Sequence, residues 1–156
     1  MTLRTVSFRV IGDPKGQGSK SAFVVNGRAV MKESGEKELR PWRNAIRDAA
    51  KAALAEHGEG CLVGPVAVRA VWRLNLPISR PAHVRQFGSC PCAVSPDLDK
   101  LQRALGDALT QSGLIEDDAR IARWDVAKIE VQREWRGVVV QVRQMPDLLE
   151  VPEWAR

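Results

Sequence analysis

Apolar and polar positions alternate along several short stretches of the chain and fall at helical spacing in two longer ones. From Thr5 to Ile11, Val6, Phe8 and Val10 share one side, the pattern of a half-buried strand. Phe23 to Met31 reads as a hairpin, because the central Asn26-Gly27 suits the positive φ values of a tight turn. From about Glu36 to His57 the period lengthens. Trp42, Ala45, Ile46, Ala49, Ala53 and Leu54 recur every three or four residues, which predicts a helix stopped by Gly58 and Gly60. Pro41 fits that helix if it lies in the first turn, where its missing N–H costs nothing. Val66 to Leu76 is the cleanest strand, with Val66, Val68, Ala70, Trp72 and Leu74 on one side, and Pro77 ends it. Ile78 to Ser95 shows no period and reads as a long loop. Leu98, Leu101, Leu105, Ala108 and Leu109 predict a second long helix ending at Gly113. Ile121–Val131 and Val138–Val142 read as two further strands, joined near Trp135-Arg136-Gly137. The expected fold is α+β: a single small domain over 1–145, a mixed or antiparallel sheet packed with two main helices, and a short polar tail over 146–156.

Composition limits the function classes without choosing among them. The 156 residues are 44% hydrophobic and 28% charged, which is globular and argues against wholesale disorder. No apolar run is long enough to cross a membrane, and the first residues lack the apolar core of a secretory signal. Cys61, Cys90 and Cys92 cannot all pair within one chain, so a cytoplasmic protein with no membrane partner is expected.

Charge changes the picture more. The net charge is +5, but residues 1–51 hold 11 basic and 5 acidic side chains, while 52–156 hold 13 and 14. Against that background Ser95–Asp118 concentrates six acids: Asp97, Asp99, Asp107, Glu116, Asp117 and Asp118. A basic arm beside an acidic focus suits a protein that binds a polyanion and holds a metal there, since the basic surface attracts phosphates that the carboxylates alone would repel.

The strongest chemistry lies in Pro96-Asp97-Leu98-Asp99-Lys100-Leu101-Gln102-Arg103. Asp97 stands where a helix N-cap belongs and Asp99 in the first turn, so both carboxylates can converge. Crowded carboxylates suit Mg²⁺, which takes one or two of them plus phosphate oxygens and activates water against a phosphodiester. Arg103, one turn further on, would offset charge developing on the phosphate. The plainer reading makes Asp97 and Asp99 a cap and a dipole-compensating acid, and Asp117-Asp118 the cap of a short turn. Other motifs fail on spacing. Gly12–Ser21 lacks the glycines of a phosphate-cradling loop, so no nucleotide cofactor is expected. Asp97-Leu98-Asp99 does not open a calcium loop, and Cys90-Pro91-Cys92 with Cys61, His57 and His83 is poorly spaced for zinc.

Taken together, Pro96-Asp97-Leu98-Asp99-Lys100-Leu101-Gln102-Arg103-Ala104-Leu105-Gly106-Asp107-Ala108-Leu109 and then Glu116-Asp117-Asp118-Ala119-Arg120-Ile121 resemble the RusA-type Holliday junction resolvases. The family pattern is close to K-P-D-x-D-N-L-x-K-x-x-x-D-A-L, followed by D-D-x-x-I. Gly12-Asp13-Pro14 after the first strand, the hairpin, the long helix and Lys128 extend the resemblance over most of Val6–Val142. It implies a homodimeric, Mg²⁺-dependent endonuclease, with Mn²⁺ as a substitute, that cuts four-way DNA junctions symmetrically. Such proteins are frequent in phages. Asp97, Asp99 and Asp118 match the metal-binding catalytic acids and Asp117 their companion, while Arg103 stands where the family has a Lys. Lys100 replaces the usual Asn and Ser95 the usual Lys or Arg. Lys15, Lys20, Arg28, Lys100 and Lys128 are the expected DNA contacts, and Phe23 is a candidate wedge.

One distance stays open in the sequence. A helix over Leu98–Ser112 is roughly 22 Å long at ~1.5 Å per residue, with Asp97 and Asp99 at its start and Asp118 beyond its end. Either the helix is shorter, the chain doubles straight back, or Asp118 completes a partner's site. Competing functions also remain: a junction-binding protein disabled by Lys100 and Arg103, a nuclease for other branched or flap DNA, or an interaction protein whose acids are caps.

Overall fold

The structure is a computed structural model that describes residues 2–18, 20–33, 35–58, 60–132 and 135–156; the side chains of 20–23 and 31–33 lie outside the description. The chain forms β1 (Thr5–Ile11), β2 (Lys20–Val25), β3 (Arg28–Glu33), α1 (Glu36–Glu56), β4 (Val66–Asn75), α2 (Ala82–Phe87), β5 (Ser89–Pro91), α3 (Leu98–Ser112), β6 (Ile121–Val131) and β7 (Gly137–Gln144). A mixed sheet orders its strands β1-β7-β4-β6-β5, and β2 pairs β3 in a separate two-stranded sheet. Only β4 and β6 run parallel; the other pairs in the main sheet are antiparallel.

The period-2 pattern decides which face of the sheet is buried. Val66, Val68, Ala70 and Trp72 of β4, Val138, Val140 and Val142 of β7, and Val6 and Val10 of β1 point to one side. There they meet Trp42, Ile46, Ala50 and Ala53 of α1 and Leu101, Leu105, Ala108 and Leu109 of α3. Burying these side chains removes apolar surface from water, the dominant favourable term in folding. The alternate positions, including Arg9, Ile11, Arg69, Val71, Arg123, Asp125, Val139 and Arg143, are exposed on the opposite face. At the β1–β7 pairing Gly137 is required sterically, because a Cβ there would lie 1.8 Å from the Val10 carbonyl oxygen.

Most elements fall where their periodicity places them, with three differences. Pro41 sits in the second turn of α1, because the helix already begins at Glu36 behind Gly35 (φ +78°). That arrangement forgoes one backbone hydrogen bond inside the helix. The expected loop Ile78–Ser95 contains α2 and β5. Neither is long enough to show a period: β5 is three residues defined by pairing Ser89, Cys90 and Pro91 with Val131, Glu130 and Ile129. Pro91 is tolerated because β5 is the sheet edge. Finally, the tail is not polar in effect. Leu148, Leu149, Val151 and Trp154 are large apolar side chains left exposed. No helix among the described residues is long and apolar enough to cross a membrane.

Candidate active site

The first acidic block hangs on the start of α3. Asp97 occupies the N-cap position with extended backbone (φ −67°, ψ 139°), yet its side chain makes no capping hydrogen bond. The Lys100 ammonium sits 2.8 Å from Asp97 Oδ2, and Arg103 Nη2 is 3.3 Å from Asp99 Oδ2. These i,i+3 and i,i+4 spacings place each cation on the same helix edge as its acid. Lys100 beside it, first through the hydrogen bond and then through charge, holds the Asp97 carboxyl below its ordinary pKa; Asp97 in turn raises Lys100.

The second block reaches this helix because the chain reverses at once. Gly113 takes a left-handed conformation (φ +75°). Leu62 N–H then donates to Leu114 O at 2.8 Å, and Leu62 bridges Ile115 in parallel, pinning the returning strand. Asp118 arrives alongside Gly106 of its own chain, where an added Cβ would stand 3.6 Å from Asp118 Cβ. Of the three arrangements open in the sequence, the chain doubles straight back. Gly106 is seven residues after Asp99, so Asp118 lies roughly 10 Å further along the helix axis. Asp117 turns aside to accept a hydrogen bond from Ala119 N–H at 2.8 Å, capping the short turn Asp118–Arg120.

Asp118 has the opposite electrostatic setting from Asp97. Burial, then the neighbouring Asp117 carboxyl and Asp107, push its pKa up. Beside it lies a cavity of about 170 Å³, lined by Gln102, Arg103, Gly106, Asp118, Ile121 and Trp124. Trp124 and Gln102 were not singled out from sequence. The signal for Trp124 is the alternation of β6, which sets 124, 126, 128 and 130 on the helix-covered side.

The Gly-rich loop closes on the first block. Gln17 N–H donates to Lys100 O at 2.9 Å, and a Cβ on Gly16 would stand 2.9 Å from Lys100 Cβ. Arg43 of α1 bridges Asp107 at 3.6 Å.

Three of the expected DNA contacts converge: Gly16, next to Lys15, packs on Lys100 and Pro96, and Lys128 reaches the Pro96 carbonyl. Lys15 pairs with Glu38 at 3.3 Å, and Arg28 is exposed at the hairpin turn. Lys100 faces Asp97. Lys128 donates to the carbonyl oxygens of Val94 and Pro96, the latter at 2.8 Å. The side chains of Lys20 and Phe23 lie outside the described residues. Cys61 is remote from Cys90 in the chain and contacts the Leu62 carbonyl, whereas Cys90 Sγ faces Glu130 at 3.4 Å.

The carboxylate oxygens of Asp97, Asp99 and Asp118 are hard donors of the type Mg²⁺ takes. The acid crowding that raises Asp118 is negative charge a dication would relieve. As placed, no three Asp, Glu, His or Cys side chains among the described residues stand close enough to enclose an ion. Asp97 and Asp99 are instead turned to Lys100 and Arg103.

A mixed sheet with two helices on one face, and acids brought in from both ends of one helix, describes a small α+β domain with a carboxylate-lined edge suited to phosphodiester chemistry. The sequence profile of the family described as Endodeoxyribonuclease RusA matches residues 12–143, and the chain belongs to that family. Both acidic blocks fall inside the match. The family's description is that of an endodeoxyribonuclease. No curated protein matches the chain. Among solved structures, it is similar to the bifunctional IspDF from Campylobacter jejuni at 12% identity and a TM-score of 0.22, over 91% of this chain and 42% of that one. The chain thus spans about two fifths of that protein, and a likeness at this level carries no argument.

Proposed function

We propose that the protein resolves four-way DNA junctions by symmetric, metal-dependent phosphodiester hydrolysis in DNA recombination and repair, acting as a homodimer. The observation that carries this reading is the return of Glu116–Asp118 along α3, which brings the second acidic block to the helix that bears the first. Asp97, Asp99 and Asp118 would hold Mg²⁺ or Mn²⁺, with Asp117 as a companion acid, once Lys100 and Arg103 turn from their acids to the phosphate and the two blocks close on the ion. Such an ion, when bound, supplies an activated water and offsets charge on the phosphate oxygens.

The chain's own residues do the rest. Lys100 holds the Asp97 carboxyl below its ordinary pKa, so the carboxylate keeps its charge into more acid solution. Arg103 holds Asp99 and lines the cavity beside Asp118, where its planar fork can meet a phosphate. The loop carrying Lys15 and Gly16 packs directly on Lys100, so it would bring a bound backbone to the acids. Paired symmetric incisions need two such edges, which is the reason for assigning a homodimer.

The test is a labelled four-way junction incubated with Mg²⁺ or with EDTA, beside an Asp97→Asn control. Paired nicks abolished by EDTA and by the substitution are expected. Tight junction binding without nicks in Mg²⁺ or Mn²⁺ would leave a binding protein only.

A further inference from the structure

The segment between β4 and α3 ends on Asp97, yet little apolar burial holds it. None of the residues of α2 is buried, and within β5 the burial is partial or absent. Its attachment to the domain is mainly polar: β5 pairs along the edge of β6, and side chains reach the inner face of the same strand. Trp124 and Val126 supply apolar surface there, but the next two inward positions are Lys128 and Glu130.

Glu130 is 1% exposed. Arg80 grips it with two charge-assisted hydrogen bonds, Nε to Oε2 at 2.7 Å and Nη2 to Oε1 at 2.6 Å, and Cys90 Sγ donates to Oε2 at 3.4 Å. One strand step away, Lys128 donates to Val94 O and Pro96 O, and its own carbonyl accepts from Cys92 N–H at 3.1 Å. A buried ion pair is a poor source of stability compared with an apolar pair of the same size, and its best-attested use is to fix register. Here the register concerns the stretch that delivers Asp97: Arg80 anchors its beginning, Lys128 its end.

We propose that Arg80, Glu130 and Lys128 are positioning residues, a two-point clamp by which β6 sets the place of Asp97 without touching DNA. The proposal rests on the reading of Asp97 as one of the site's acids. It reassigns Lys128 from a phosphate contact to a support of the loop, because its ammonium is already spent on two carbonyls next to Asp97.

The test compares Lys128→Met, Lys128→Arg and the double variant Arg80→Met/Glu130→Gln with the unaltered protein, each checked for cooperative melting. The double variant is used because Arg80→Met alone strands a buried carboxylate. Amide hydrogen exchange over 89–92, where β5 pairs β6 and Cys92 N–H is bonded to the Lys128 carbonyl, is read without DNA. Single-turnover cleavage and junction affinity are read across a salt series. Lys128→Met and the double variant should speed exchange over 89–92 and slow cleavage about 10-fold, the lower end of what losing a supporting partner costs. Junction Kd should stay within about two-fold, with an unchanged salt slope, and Lys128→Arg should restore both exchange and rate. Unchanged exchange in both variants overturns the clamp. So does a weaker Kd in Lys128→Met with the salt slope reduced by about 1, the mark of a lost phosphate contact. If the unaltered protein neither binds nor cuts junctions, the nuclease reading fails, while the exchange data still decide the clamp.

Discussion

The two acidic blocks meet at one helix but are held in opposite ways. Asp97 and Asp99 each face a cation from their own helix, and Asp97 is the more acidic for it. Asp118 faces other carboxyls and is the less acidic for it. The contrast follows from local geometry. Residues three and four apart on a helix are neighbours, so Lys100 and Arg103 meet their acids without help from the rest of the fold. Asp118 is set down beside α3 by chain reversal, with no cation spaced to follow it. One half of the site is compensated at rest, and the other carries unrelieved negative charge. Perturbed groups of the second kind are where a protein's chemistry is often found.

The contrast can be broken most severely by removing an acid from either block. Asp97→Asn and Asp118→Asn should each slow junction cleavage at least about 100-fold, more than loss of a supporting partner costs, as measured by single-turnover nicking. Equal rates in either variant would remove that residue from the chemistry. Next in size is Gly16→Ala. Its new methyl would press on Lys100 Cβ and cost about 1–3 kcal/mol of packing strain, read as a lower denaturation midpoint together with slower cleavage. Removing the compensation should make the first block resemble the second. In Lys100→Met the Asp97 carboxyl loses its hydrogen-bonded cation and its pKa rises, so the acid limb of the pH–rate profile should move to higher pH. An unmoved limb would show that Asp97 does not govern it.

The smallest effect concerns stability. Folding raises the Asp118 pKa above the ordinary 3.8, so the folded state binds that proton more tightly than the unfolded one. The resulting penalty is absent below the ordinary value and grows as pH rises through the folded one. Asp118→Asn should therefore raise Tm at pH 7 by about 1–2 °C, an increment kept small by solvent exposure. The gain should vanish in melts below about pH 3.8. A variant that loses cleavage while gaining stability would mark Asp118 as a residue kept for function.

The long elements were legible because their burial is periodic: α1, β4, α3 and β7 each repeat apolar side chains at the spacing of the face they bury. The hairpin was legible from Asn26-Gly27, whose positive φ values of 51° and 75° are those its turn needs. α2 and β5 were not legible, since polar contacts to Arg80, Lys128 and Glu130 place them and such contacts have no period. In the site, the acids stood out as residue types. Their pairing with Lys100 and Arg103 could also have been taken from i,i+3 and i,i+4 spacing. The position of Asp118 could not, because it depends on how Leu62 receives Leu114 and Ile115. Lys128 stood out through the family resemblance, and the alternation of β6 points it inward to Val94 and Pro96.

The strand order has a consequence for how the domain comes to exist. β7, the last strand of the sheet, lies between β1 and β4 rather than at an edge. Until it arrives β1 has no partner in the main sheet, and the interior valines of β4 face no antiparallel neighbour. Assembly must therefore wait for the stretch after Gly137 to emerge during synthesis, and contacts this distant in sequence form slowly. A chain interrupted before that point holds all four aspartates of the candidate site but has no finished sheet on which to mount them. The candidate site therefore exists only once the last strand has been made.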